Sequence, residues 1–192
     1  MEIERKYLIK NIPLNLSEYP CLFIEQGYLN TQPVVRVRRQ NDDYYLTYKS
    51  LGMMAREEYN LPLDKTAYEH LIAKADGIVI TKKRYLIPML DAWEAMSPDT
   101  CAAPGTDTAS DTDALSGTEP GQRHTGHALI NPDLTVELDI FEGVYDGLKI
   151  AEVEFKTTAE AESFIPPTWF GEDVTFSTKY HNSRLSQGNI KD

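Results

Sequence analysis

The chain has 192 residues, 41% of them hydrophobic and 26% charged, which suits one domain (residues 1–192) with a core of its own. Its 30 acids against 19 lysines and arginines leave a net charge of −11, which excludes the broad basic surface of a general nucleic-acid binder. No apolar run is long enough to span a membrane, the acidic start lacks the order of a secretory leader, and Cys21 and Cys101 make no metal spacing, so the expectation is a reduced, cytoplasmic protein without a membrane partner.

The elements read in chain order are mostly strands. Residues 2–9 predict a first strand, with Glu2, Glu4 and Lys6 two residues apart and therefore on one face. Residues 22–29 predict a second. Residues 34–40 and 44–49 form a hairpin about the turn Asn41-Asp42-Asp43, and residues 56–63 follow as a fifth strand. Asp64 caps a helix over 65–75, with Leu71 and Ile72 inward and Gly77 ending it. A strand over 78–89 precedes a second hairpin, 134–142 with 148–156, around Gly143 and Gly147. Thr157 or Thr158 caps a helix over 159–164, stopped by Pro166-Pro167; a short strand over 174–178 and a helix over 182–187 close the chain. Residues 96–128 break this order. They are rich in Thr, Ser, Asp, Ala, Gly and Pro, cannot bury enough surface to offset their ordering entropy, and are expected to be a disordered insertion between two strands. His124 and His127 within it read as solvated loop residues, with no third ligand beside them.

The spacing of the first strand recurs. Arg36 and Arg38, Lys82 and Arg84, Glu137 and Asp139, and Glu152 and Glu154 each flank one residue; Lys49 shares a face with Thr47, and Lys179 closes the last strand. Any one such strand would ordinarily be a polar face turned to water. Together they differ, because several strands carry one sign only, and like charges opposed across strands destabilise a sheet. Segregated signs are sensible around a cavity, with a carboxylate wall for metal and a cationic wall for a polyanion. Ile3, Val37, Leu138 and Val153 lie between the charges and point the other way, to pack against helices outside. The fold class that follows is β-rich α+β: an antiparallel β-barrel of about eight strands, wide enough for side chains or one small ligand, with a charged lumen and helices outside. Lys6, Arg36, Arg38, Lys49, Lys82, Arg84 and Lys179 converge as phosphate binders, and a triphosphate with a divalent metal balances so many cations. No P-loop, Gly-x-Ser-x-Gly elbow or zinc spacing competes. His70 reads as helix surface, His181 as C-terminal packing, and Tyr44, Tyr45 and Tyr48 as packing.

These residues resemble the CYTH superfamily, also called triphosphate tunnel metalloenzymes, over nearly the whole chain outside 96–128. The motifs are Glu2-Ile3-Glu4-Arg5-Lys6, Gln26-Gly27-Tyr28-Leu29, Val35-Arg36-Val37-Arg38, Leu46-Thr47-Tyr48-Lys49, Lys82-Lys83-Arg84-Tyr85, Glu137-Leu138-Asp139-Ile140-Phe141, Ala151-Glu152-Val153-Glu154-Phe155 and Lys179-Tyr180-His181-Asn182-Ser183, in that order. The resemblance implies an eight-stranded antiparallel β-tunnel that binds a triphosphate-containing small molecule with Mg²⁺ or Mn²⁺. It implies that Glu2, Glu4, Glu152 and Glu154 hold metal and that the seven cations bind phosphate. Glu137 and Asp139 would orient cations or water, and Lys6, Lys49 and Glu58 join them in the catalytic set. Glu58 is taken as the tunnel-facing acid of its strand, and a slip of one residue would make it Glu57 instead. The segment after Lys179 is similar to the family's tunnel-gating helix.

The activity expected is metal-dependent hydrolysis of inorganic tripolyphosphate to pyrophosphate and phosphate. The alternatives are a class IV adenylyl cyclase or a nucleoside or thiamine triphosphatase, and, from another class, a non-catalytic polyphosphate-binding module. The sequence carries no signal for oligomeric state.

Overall fold

The computed structural model describes residues 2–51, 54–95 and 131–188. The expected insertion at 96–128, with Cys101, His124 and His127, lies outside the described residues. Among the described residues nine strands are formed: β1 (Glu2–Leu8), β2 (Cys21–Thr31), β3 (Val34–Gln40), β4 (Asp43–Lys49), β5 (Ala55–Arg56), β6 (Glu58–Leu63), β7 (Asp76–Pro88), β8 (Thr135–Phe141) and β9 (Lys149–Glu154). The helices are short: α1 (Lys65–Ile72), α2 (Met89–Glu94), α3 (Thr158–Ser163) and α4 (Asn182–Leu185). No helix among the described residues is long and apolar enough to cross a membrane.

The strands join in one antiparallel sheet, ordered β5-β1-β9-β8-β7-β2-β3-β4-β6. Its two end strands, β5 and β6, are consecutive in the chain and parted by Glu57 alone. A single segment pairs through Ala55 and Arg56 with Ile3 and Glu2 of β1, and through Glu58–Leu63 with β4. The sheet therefore curls until its two ends are joined through this one segment, as in a barrel of eight chain segments. The fifth strand expected over 56–63 is this split segment; where the chain turns from one neighbour to the other, Glu57 is held by Ser50, whose N–H donates to Glu57 O at 2.9 Å.

The strand expected over 174–178 is not formed. One bridge, Tyr7 to Asp173, is followed by a 3-10 turn over Thr178–Tyr180. Its place is explained by β1, which loses β5 as a partner after Ile3. There the backbone of residues 171–174 takes over the edge, with Leu8 N–H donating to Glu172 O at 2.9 Å and Val174 N–H donating to Lys6 O at 2.8 Å. Asp173 Oδ1 then accepts from Thr175 N–H at 2.9 Å and bends the chain away from an extended course. The helices expected over 65–75 and 182–187 end earlier, at Ile72 and Leu185, and α2 was not foreseen. Trp169 Nε1 fixes α2 by donating to Ala92 O at 2.7 Å.

Alternation along the strands sorts the side chains as expected. Ile3, Leu138 and Val153 turn outward into a buried cluster with Tyr7, Ile87, Phe155, Trp169 and Phe170, while Val37 is buried on its own strand's outer face. α1 seats on β2 at Gly27, where a Cβ would fall 2.6 Å from both Ala75 Cβ and Ile72 Cδ1, so only glycine admits the helix. Thr157, one of the two caps the sequence offers, opens α3 in a reciprocal capping box with Glu160.

Candidate active site

The charged face of each strand points into the curl, and towards one end that same face turns apolar. Leu8 succeeds Lys6, Val34 precedes Arg36, Ile80 precedes Lys82, Phe141 succeeds Asp139 and Ile150 precedes Glu152. With Tyr28 and Leu185 of α4 these side chains pack into a second apolar cluster, which fills that end of the lumen. Beside it lies a cavity of ≈ 390 Å³, lined by Glu2, Glu4, Lys6, Arg36, Arg38, Lys49, Glu58, Arg84, Glu137, Glu152 and Glu154 among the expected residues.

The arginine wall comes from β3. Arg36 Nη2 donates to Thr47 Oγ1 at 3.1 Å and lies 3.9 Å from Glu58 Oε1. Arg38 is held by Gln26, whose Oε1 accepts from Nε at 3.0 Å and from Nη2 at 2.7 Å. Burial, and then the charges of Arg36 and Arg84, push the Arg38 guanidinium below its ordinary range, the mark of a cation that lacks an anion.

The carboxylate wall comes from β1, β8 and β9. Glu4 stands directly opposite Glu154, and Glu137 opposite Glu152. Lys6 Nζ lies 3.0 Å from Glu4 Oε1 and pairs also with Glu152. Arg84 is gripped in a fork by Asp139, with Nε to Oδ1 and Nη2 to Oδ2 both 2.7 Å, and its Nη2 reaches Glu152 Oε2 at 2.6 Å while Nη1 pairs with Glu137. Lys49 joins Glu2 at 2.6 Å to Glu58 at 2.7 Å. Burial opposes charge at Glu152, yet Lys6, Arg84 and Lys82 hold its carboxyl well below the usual range. Burial would also raise Glu58, but a hydrogen bond shared with Glu2 and the Lys49 ammonium bring it down to about 2.

Glu154 behaves oppositely. Partial burial, then the charges of Glu2, Glu137, Glu4 and Glu58, push its carboxyl up. Five carboxylates thus converge where one has no counter-ion to lower its charge, and an all-oxygen donor set suits Mg²⁺ or Mn²⁺. Among the described residues no three His, Cys, Asp or Glu side chains are gathered closely enough to hold a metal as they stand, because Lys6 and Lys49 draw Glu4, Glu152 and Glu2 aside. In chemistry this donor set suits a divalent cation, while Lys6 and Lys49 engage three of its carboxylates.

Three expected residues do not line the cavity. Lys82 and Asp139 form a buried ion pair behind it, and Lys82 lies 5.3 Å from the Phe141 ring centroid. Burial outweighs that pairing and brings the Lys82 ammonium down to about 8. Lys179, expected at the end of a strand, sits on the 3-10 turn with its ammonium 5.8 Å from the Tyr180 ring centroid. The choice between Glu57 and Glu58 falls to Glu58, since Glu57 is exposed and its backbone N–H donates to Ser50 Oγ at 2.9 Å.

The cavity also takes residues outside the expected catalytic, phosphate and metal sets: Tyr28, Gln40, Asn60, and His181, Asn182 and Ser183 from the segment likened to a gating helix. Extending the period-two pattern of their strands finds the first three. His181, read as packing, had no such signal, because α4 is barely one turn. It is placed from outside: Ile78 N–H donates to Ser186 O at 2.6 Å, and Gly77, at φ 72°, leaves no room for a Cβ, which would sit 2.2 Å from that oxygen.

An antiparallel wall curled around opposed carboxylate and arginine faces defines a charged β-tunnel. The chain belongs to the CYTH family, whose CYTH domain matches residues 1–187. It is 31% identical to an inorganic triphosphatase of Nitrosomonas europaea over 96% of each chain, and 28% identical to one of Acetivibrio thermocellus over 99% of this chain and 96% of the relative. In structure it resembles a crystallised inorganic triphosphatase, with a TM-score of 0.58 and 29% identity over 97% of this chain and 95% of the other.

Proposed function

We propose that this chain hydrolyses inorganic tripolyphosphate to pyrophosphate and orthophosphate, with Mg²⁺ or Mn²⁺. The observation that carries the reading is the pairing, in one ≈ 390 Å³ cavity, of a buried arginine wall with a cluster of opposed carboxylates. The relatives named inorganic triphosphatase support it. Arg36 and Arg38 grip the oxygens of the phosphate chain through paired hydrogen bonds, and Lys6 and Lys49 add two mobile charges beside them. Asp139 acts behind the cavity by fixing the Arg84 fork, and Lys82 balances Asp139. Held by Glu2, Glu4, Glu152 and Glu154, a divalent cation would neutralise phosphate oxygens and help orient the attacking water. Water attacks the terminal phosphorus in line, with Glu58 and Glu137 as the acids on the lining that can orient it. The bridging P–O bond then breaks and pyrophosphate leaves.

The inorganic substrate is favoured over a nucleotide by the lining. Among the described residues Tyr28 and Val34 are its only members with largely apolar side chains, too little to enclose a base. Phosphate release from tripolyphosphate, ATP and thiamine triphosphate, measured side by side, tests this. Tripolyphosphate is expected to be turned over fastest. Faster release from ATP would move the reading to a nucleotide substrate, cyclic AMP among the products would make the chain a cyclase, and binding without turnover of any of the three would leave a polyphosphate-binding module.

A further inference from the structure

The two lysines that reach the carboxylate wall are both already engaged by it. Lys6 spans Glu4 and Glu152, and Lys49 spans Glu2 and Glu58, with the Lys49 ammonium 2.6 and 2.9 Å from the two Glu2 oxygens. Three of the four carboxylates assigned above to the metal are thus neutralised by lysines. Arg84 touches the same wall but is fixed by its Asp139 fork, whereas each lysine hangs on a flexible four-carbon stem.

An ammonium and a divalent cation compete for the same oxygens. If Lys6 left the wall alone, it would give up Glu4 and Glu152 and bring its charge towards Arg36 and Arg38, where like charges repel unless an anion has entered. If it left without a cation arriving, Glu4 would face Glu154 bare across the β1–β9 pair. Only the joint arrival of cation and polyanion satisfies both sets of charges. Resting on the metal-dependent reading above, we infer that Lys6 and Lys49 are internal competitors of the metal. They hold its carboxylates in the free protein and pass to phosphate oxygens when triphosphate enters, so that metal and triphosphate each strengthen the other's binding. Thermodynamic linkage makes that coupling reciprocal.

The test is Mn²⁺ binding to the whole chain without any phosphate, followed by electron paramagnetic resonance of free Mn²⁺. Lys6→Met and Lys49→Met are each expected to bind Mn²⁺ roughly tenfold more tightly than the unaltered protein. Equal or weaker binding by both overturns the inference. Lys6 is buried, so if Lys6→Met fails to fold, as a melt would show, Lys49→Met carries the comparison. The unaltered protein offers a second readout, the ¹⁵N resonance of the Lys6 ammonium. It is expected to shift fully only when Mg²⁺ and a nitrogen-bridged, non-hydrolysable triphosphate are both present; a full shift with Mg²⁺ alone also overturns the inference. Hydrolysis of tripolyphosphate with unchanged Mn²⁺ affinity in the variants would defeat the competition and leave the hydrolase reading standing. Tighter Mn²⁺ binding in a protein that cleaves no triphosphate would do the reverse.

Discussion

The two walls of the tunnel are built from the same alternation and end in opposite states. On β3, Arg38 takes a neutral partner, Gln26, and Arg36 bonds Thr47 with only a long 3.9 Å contact to Glu58, so most of their charge is left for something that enters. At the carboxylate wall of β1, β8 and β9 the cations are spent: Lys6 of β1 on Glu4 and Glu152, Arg84 of the neighbouring β7 on Glu137, Asp139 and Glu152. Spacing two therefore fixes where a charge points and not whether it is available. On the proposed reading, the arginine wall is open to an anion, whereas the carboxylate wall is an ion-paired network that would have to exchange partners to take a metal.

The comparison breaks first at its buried hinge. Asp139→Asn would leave Lys82 and Arg84 without their shared anion, and removing one partner of a buried pair costs about 3–5 kcal/mol. Denaturant unfolding checks it; an unchanged midpoint would mean that the Arg84 fork is not structural. Next come two variants that divide the labour. Arg38→Met is expected to weaken tripolyphosphate binding and to lower kcat/KM by on the order of a hundredfold or more. Glu4→Gln is expected to lower turnover by a comparable factor, roughly a hundredfold, while binding of the anion, read by calorimetry, largely survives. Binding lost in both variants would erase the distinction between the walls.

A smaller effect follows from pH. Glu58 holds its proton far more weakly in the folded chain, about 2, than at the ordinary 4.5. Its stabilising contribution is therefore complete above pH 4.5 and is lost as pH falls from 4.5 towards 2. Glu58→Gln should flatten that limb of the stability profile. The smallest expected effect has the opposite sign. Because Glu154 is raised, its ionised form is penalised in the folded chain, and stability falls as pH rises through the interval from 4.5 to the raised value. Above the raised value the cost is fully present, so there Glu154→Gln should stabilise the metal-free protein. The gain is less than about 1 kcal/mol, since solvent screens the carboxylate, and it should come with weaker Mn²⁺ binding. Destabilisation without metal would show that Glu154 already has a counter-charge.

Local periodicity reads well where each strand has one wet and one dry face. It placed β3 over Val34–Gln40 with the expected bounds, and it put Glu2, Glu4, Arg36, Arg38, Glu152 and Glu154 on the cavity. It could not say who pairs with whom. Lys6 meets Glu152 from 146 positions away, a contact set by the order of strands round the curl and by nothing in either strand alone. Depth was hidden for a related reason. Lys82 and Arg84 share a face two residues apart, but only Arg84 reaches the cavity, because Lys82 lies beside Phe141, where the lumen begins to fill with apolar side chains. The segment near 174 was misread because its backbone serves the β1 edge through isolated bonds, with Asp173 turning it, and such a cover needs no alternation. His181 carries no periodic signal, because it stands at the start of a helix of barely one turn whose place is set by Ser186 against Ile78 at the other end.

The account rests most directly on whether cleavage of tripolyphosphate needs a metal at the carboxylate wall. Turnover followed by ³¹P NMR, with Mg²⁺ or Mn²⁺ and then with chelator in excess, measures this. The expected result is one pyrophosphate and one orthophosphate for each tripolyphosphate consumed, stopped by the chelator and restored by added metal. Turnover undiminished by the chelator would contradict it.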